Sequence, residues 1–264
     1  MAQTKPAAAP RNEPHHLTDE QLQDMLALAS ASDSVELKLT VPENAYSSTA
    51  NALGMDPLEA QIRQVFFFDT PDLTLNHAGL VVRARRIQGS NDDSTVKLRP
   101  VQPDKLPKKL RGSIGFGVEV DAMPGGYVCS GSMKSEIGKR DVRAAVFDAR
   151  PIRKLFNKDQ RAFFEEHAPA GLTLDTLSIL GPINVFKLKF QPKGSKIPMV
   201  AEFWLFPDNT SVLELSTKCP PVDTLKTATR LRTYLTGKNV PLTGEQSTKT
   251  KAALELFSAR MVER

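Results

Sequence analysis

The sequence predicts an α+β protein in which antiparallel strands, apolar on one face and charged on the other, lie beneath a cover of helices. Three observations carry this. Alternation of apolar and charged residues, the period-two signature of half-buried strands, recurs along most of the chain. Segments with apolar residues three and four apart interrupt it, and such helices need the apolar strand faces to cover. The polar strand positions hold Lys, Arg, Glu and Asp almost exclusively, rather than the Thr, Ser and Gln usual on a solvated sheet. With 264 residues, 40% hydrophobic and 25% charged, the chain can build a large core, which excludes a mini-protein, a collagen or a disordered polymer.

The elements follow in order. Residues 1–16, rich in Ala and Pro, are expected to be a disordered tail, since they lack the apolar stretch of a secretory signal. Residues 17–33 form a leading helix and linker, with Thr18 or Asp19 as cap and Leu22, Met25, Leu26 and Ala29 on one face. From Ser34 onward the folded domain, 34–264, begins with a strand in which Val35, Leu37, Leu39 and Val41 alternate with Glu36, Lys38 and Thr40. The same two-faced pattern returns at 79–85 with Arg83 and Arg85, at 95–99 with Lys97 and Arg99, and at 117–121 with Glu119 and Asp121. It continues at 186–190 with Lys187 and Lys189, at 201–205 with Glu202, and at 212–218 with Glu214 and Lys218. Basic strands are expected to alternate with acidic ones. Helices are expected at 152–167, 222–235 and 248–261, with a shorter one at 57–61. Clusters of Gly, Pro, Ser and Asp mark 89–93, 100–115 and 124–138 as loops.

Charges at i and i+2 on one strand usually mean only a solvated face. Several such strands side by side would make a face of extreme charge density. A sheet of about eight strands closed on itself just encloses room for side chains or one small ligand, so the ionic faces would line a wet lumen. Lys and Arg there give charge-assisted hydrogen bonds to phosphate oxygens, and clustered carboxylates hold Mg²⁺ or Mn²⁺. The excess of 35 Lys+Arg over 30 Asp+Glu suits an anionic ligand.

Residue by residue, the chain resembles the CYTH domain, or triphosphate tunnel metalloenzyme superfamily, whose relatives include inorganic triphosphatases, thiamine triphosphatases and class IV adenylyl cyclases. The motifs are Val35-Glu36-Leu37-Lys38, Phe67-Phe68-Asp69-Thr70-Pro71-Asp72-Leu73 running into Ala78-Gly79-Leu80-Val81-Val82-Arg83-Ala84-Arg85, Thr95-Val96-Lys97-Leu98-Arg99, and Thr250-Lys251-Ala252-Ala253. Between Ser34 and Arg260 the resemblance implies an eight-stranded antiparallel closed tunnel with helices outside, holding a triphosphate or nucleoside triphosphate beside divalent metal. It implies phosphate binding by Lys38, Arg83, Arg85, Lys97 and Lys251, with Arg99 in addition and Lys187 or Lys189 from the later strand; Lys218 joins them. Glu36, Glu119, Asp121, Glu202 and Glu214 match the metal-holding positions. Glu36, Lys38 and Arg85 stand nearest the expected chemistry.

The chain also departs from the family. Ser34 stands where the opening ExExK motif has its first glutamate, and Ser216 where many relatives carry a second one, which predicts weaker divalent binding. The resemblance implies metal-dependent hydrolysis of triphosphates, with adenylyl cyclase chemistry or binding without turnover as alternatives.

Other sites are weaker. Residues 131–140 are superficially like a phosphate-binding loop, but six residues separate Gly131 from Gly138 and Arg140 replaces the magnesium-binding hydroxyl, so a flexible basic loop is expected. His77 and His167 are isolated, and Cys129 and Cys219 show no paired spacing, so zinc and disulfides are not expected and a reducing cytoplasm is the default compartment. Aromatic residues at 6% without basic interleaving argue against nucleic acid, and no run is long enough to span a membrane. The sequence leaves the oligomeric state open.

Overall fold

The computed structural model describes residues 17–242 and 249–262, with the side chains of all of these except 251 and 260–262. The expected tail, 1–16, lies outside them. Nine strands form a closed barrel: β1 (Ser34–Val41), β2 (Gln61–Asp69), β3 (Leu80–Ile87), β4 (Asp92–Leu98), β5 (Phe116–Met123), β6 (Gly126–Ile137), β7 (Ser178–Phe190), β8 (Met199–Leu205) and β9 (Ser211–Cys219). Around the barrel they run β1-β5-β6-β4-β3-β2-β7-β8-β9 and back to β1. Eight of the neighbouring pairs are antiparallel and β1·β5 is parallel.

The expectation of eight antiparallel strands is corrected on both counts, and the two corrections are one. An odd number of strands around a cylinder cannot reverse direction at every step, so a ninth strand obliges a parallel pair. Sequence reading marked seven strands and missed two: β2, whose second half is buried on both faces and so shows no alternation, and β6, placed in the expected loop 124–138. For β6 the reason is local. Its lumen-facing positions include the small polar Ser130 and Ser132, and its outward Gly131 sits where a Cβ would lie 2.9 Å from the Phe116 ring. Gly and Ser there serve close packing rather than a turn. The basic segment 131–140 is accordingly mostly strand, not a flexible loop.

The helices are α1 (Asp19–Ser30), α2 (Tyr46–Leu53), α3 (Thr74–His77), α4 (Lys108–Arg111), α5 (Asp141–Phe147), α6 (Lys158–His167), α7 (Thr224–Gly237) and α8 (Lys249–Val262). Thr18 and Gln21 make a reciprocal capping box on α1, which lays Met25 and Ala29 against Val35, Val118 and Val120. The expected helix 152–167 is broken into a 3-10 turn, Ile152–Leu155, and α6, because Asn157 caps a new start with Gln160. The short helix expected at 57–61 is a single 3-10 turn, Pro57–Glu59.

Strand parity sorts the side chains. On β2 to β4, Phe66, Phe68, Val82, Ala84 and Val96 face outward beneath Phe163 and Phe164 of α6 and Val142 of α5. Gln160 of α6, fully buried, donates to the carbonyls of Ser94 and Met133 and so ties the helix to β4 and β6. The alternate positions face the lumen. At one end the lumen is apolar: Val65, Val81, Val185 and Trp204 pack against Ala253, Leu254 and Phe257 of α8, which lies across that end.

Candidate functional site: a charged tunnel

The remaining lumen is a cavity of about 550 Å³. Eleven Lys and Arg side chains and five carboxylates line it. Every site residue expected from the sequence reaches this one cavity, Lys251 excepted: Glu36, Lys38, Arg83, Arg85, Lys97, Arg99, Glu119, Asp121, Lys187, Lys189, Glu202, Glu214 and Lys218. Lys251 falls on α8, but its side chain lies outside those described.

The charges do not alternate around the barrel as expected; they segregate. The five carboxylates stand on β8, β9, β1 and β5, which are consecutive neighbours. Each of the other five strands contributes a cation with no carboxylate in ion-pair range among the described residues. These are Lys134 on β6, Arg99 just beyond β4, Arg83 on β3, Arg63 on β2 and Lys189 on β7. One wall is therefore acidic and already neutralised by lysines, and the other is basic and unneutralised.

On the acidic wall, Glu36, Glu119 and Asp121 each place a carboxylate oxygen within 4.8 Å of the others. This follows from register, since parallel pairing sets Ser34 opposite Glu119 and Glu36 opposite Asp121. Lys38 lies 3.2 Å from Glu36 and 3.0 Å from Asp121, Lys97 lies 3.2 Å from Asp121, and Lys218 pairs with Glu119. Burial would raise the Asp121 carboxyl, but Lys97 and Lys38 outweigh it and pull it down to about 2. Burial likewise works against the Lys38 ammonium, yet Asp121, Glu36 and Glu214 hold it above the ordinary lysine range. Three hard oxygen donors converging on one point suit Mg²⁺ or Mn²⁺, so the residues present fit such an ion. Ser34, directly opposite Glu119, donates to Glu119 Oε2 at 3.2 Å.

Glu202 and Glu214, directly opposite across β8 and β9, form a second acidic group. Lys249 of α8 bridges them at 2.6 and 2.7 Å, and Lys187 reaches Glu202 at 2.7 Å. Burial opposes ionisation of Glu202, but Lys249 and Lys187 hold it well below the usual carboxylate range. Lys249 also sits over the Trp204 ring, 5.0 Å from its centroid.

On the basic wall, burial and the neighbouring Arg85 push Arg83 down to about 10, and its Nε has no hydrogen-bond partner. Arg85 is engaged differently: its Nε and Nη2 lie 2.8 and 2.5 Å from the two oxygens of Asp93. Burial lowers Arg99, Lys134 and Lys189's neighbour Lys187 from their ordinary values. Such a wall is costly without a ligand and presents preorganised donors to an anion.

Sequence reading missed Arg63, Asp93, Lys134 and Lys249. Arg63 is masked by the apolar run that follows it, in which both faces of β2 are buried. Asp93 lies in the segment read as a loop, although it shares the parity of Thr95 and Lys97. Lys249 opens α8 two residues before the expected Lys251, outside the motif that drew attention to that segment.

No family model and no curated protein matches the chain. Solved structures do. A "putative adenylate cyclase" from Bacillus halodurans superposes with a TM-score of 0.58 at 11% identity, covering 84% of this chain and 97% of that one. A "putative adenylyl cyclase" from Hippeastrum, described as having a dominant triphosphatase activity, superposes with a TM-score of 0.60 at 16% identity, covering 83% and 94%. At these identities what is shared is the fold: the chain has the architecture of these two proteins.

Proposed function

We propose that this protein is a metal-dependent hydrolase of triphosphate-containing substrates, inorganic or organic. The observation that carries the reading is the unneutralised wall of Arg63, Arg83, Arg99, Lys134 and Lys189, facing an acidic wall across one cavity. The five cations hold successive phosphate groups by charge-assisted hydrogen bonds. Arg83, with its free Nε, and Arg85, clamped by Asp93, present guanidinium edges to the phosphoryl oxygens, where charge shifts during transfer. Glu36, Glu119 and Asp121 would hold Mg²⁺ or Mn²⁺, which supplies charge neutralisation and an activated water when bound. Lys38 and Lys97 keep Asp121 ionised, while Val65, Val81 and Trp204 under α8 close the far end to bulk water.

The test is turnover of tripolyphosphate, ATP and thiamine triphosphate with Mg²⁺ or Mn²⁺, reading phosphate and cyclic AMP separately. Phosphate release that is lost in Lys38→Ala and in Glu36→Gln, each still folded, is expected. Cyclic AMP with pyrophosphate would replace hydrolysis by cyclisation, the activity for which the two structural relatives are named. Tight binding without turnover would make the protein a triphosphate-binding module.

A further inference from the structure

Beyond the tunnel, a second basic surface adjoins it. A groove of about 470 Å³ lies where β2 begins and β3 ends, and Arg86, Lys139, Arg140 and Arg143 line it. None of the four forms an ion pair among the described residues. The one acidic lining residue, Asp92, is buried and turned to the backbone, where it accepts from the N–H groups of Ile87 and Val142. Lys139, Arg140 and Arg143 are exposed, and Arg86 is fixed by a 2.7 Å bond to Gln64 Oε1 and by the Phe147 ring beneath its guanidinium. Arg63 lines both this groove and the tunnel, so the two basic surfaces meet at one side chain.

We propose that the groove carries the continuation of the bound anion, so that the preferred ligand is a linear polyphosphate longer than a triphosphate. This rests on the proposed reading of the tunnel. The chemistry of the groove suits a repeating phosphate better than an oligonucleotide. It offers four cations on long or fixed stems and no aromatic lining residue on which a base could stack. Of its two side-chain amides, Gln64 is engaged with Arg86 and Asn184, and Gln88 Oε1 accepts from the Ile62 N–H. Unpaired cations leading to a cavity of like sign also raise the local concentration of anions at its mouth.

The test compares binding of tripolyphosphate and of a long linear polyphosphate by calorimetry, in the unaltered chain and in Lys139→Ala/Arg140→Ala/Arg143→Ala, whose three sites are exposed. The long chain is expected to bind the unaltered protein more tightly than tripolyphosphate, and the triple variant to lose about fivefold or more for the long chain only, as three partly solvated charge contacts predict. Equal affinities in the unaltered protein, or equal losses for both ligands, would overturn the proposal. Preferential, variant-sensitive binding of a 5′-triphosphorylated oligonucleotide over polyphosphate would overturn it in favour of nucleic acid. Failure of the unaltered protein to bind tripolyphosphate, with long-chain binding intact and variant-sensitive, would overturn the tunnel reading while leaving the groove in place.

Discussion

Arg83 and Asp121 show how the two walls differ in energetic terms. Arg83 is crowded by Arg63 and Arg85 and leaves Nε unpartnered, so it costs stability in the ligand-free chain. Arg83→Gln should therefore stabilise the ligand-free protein by about 1 kcal/mol while weakening tripolyphosphate binding at least about tenfold; urea unfolding and titration check the two halves. Asp121 is the opposite case, a buried carboxylate paired with Lys38 and Lys97. Asp121→Asn leaves two buried ammonium groups short of a partner and should cost about 3 kcal/mol at neutral pH. The pH dependence has a definite sign. The folded-state value, about 2, lies below the ordinary aspartate value of 3.8, so the stabilisation is present above pH 3.8 and is lost as pH falls through 2. Urea midpoints of the two proteins should therefore converge in acid and diverge toward neutrality.

Among the elements, α8 and the β3–β4 hairpin bear most directly on the tunnel. The ion pairs of Lys249 with Glu202 and Glu214 tie the start of α8 to β8 and β9, and Phe257 anchors its later turns. Lys249→Met should loosen the helix, taking the ion pair from Glu214 and leaving Glu202 with Lys187 alone, which faster amide exchange across 252–259 would report. Gly79 holds β3 to the end of β4: its φ is +77°, and a Cβ there would lie 2.3 Å from the carbonyl oxygen of Arg99. Gly79→Ala should displace Arg99 from the lumen and destabilise the barrel by several kcal/mol, about 2 or more, measurable by thermal unfolding. Strands whose outward face is apolar and whose lumen face is charged were legible in sequence, because both faces announce period two. β6 was not, since its lumen positions are small hydroxyls and its outward side carries a glycine fitted to Phe116. The Ile152–His167 helix was over-extended because an interior Asn reads as a weak helix residue, not as the cap that Gln160 makes of it.

The molecule as a whole is a closed sheet that turns local alternation into a global partition of charge. Alternation along each strand could be read from the sequence and gave thirteen of the lining residues. Which strands stand side by side could not, because order around the barrel depends on long-range pairing, and so the segregation of acidic and basic walls emerged only from the fold. That partition implies that an anion filling the cavity relieves repulsion on the basic wall, so tripolyphosphate should raise the unfolding temperature, less so at high salt. Calorimetric titration of tripolyphosphate into the protein and into Arg83→Ala/Lys189→Ala addresses the arrangement most directly. One saturable site per chain, weakened by salt and lost at least about tenfold in the double variant, is the result that converging ionic faces require. Unsaturable binding, or binding that the double variant leaves unchanged, would contradict it.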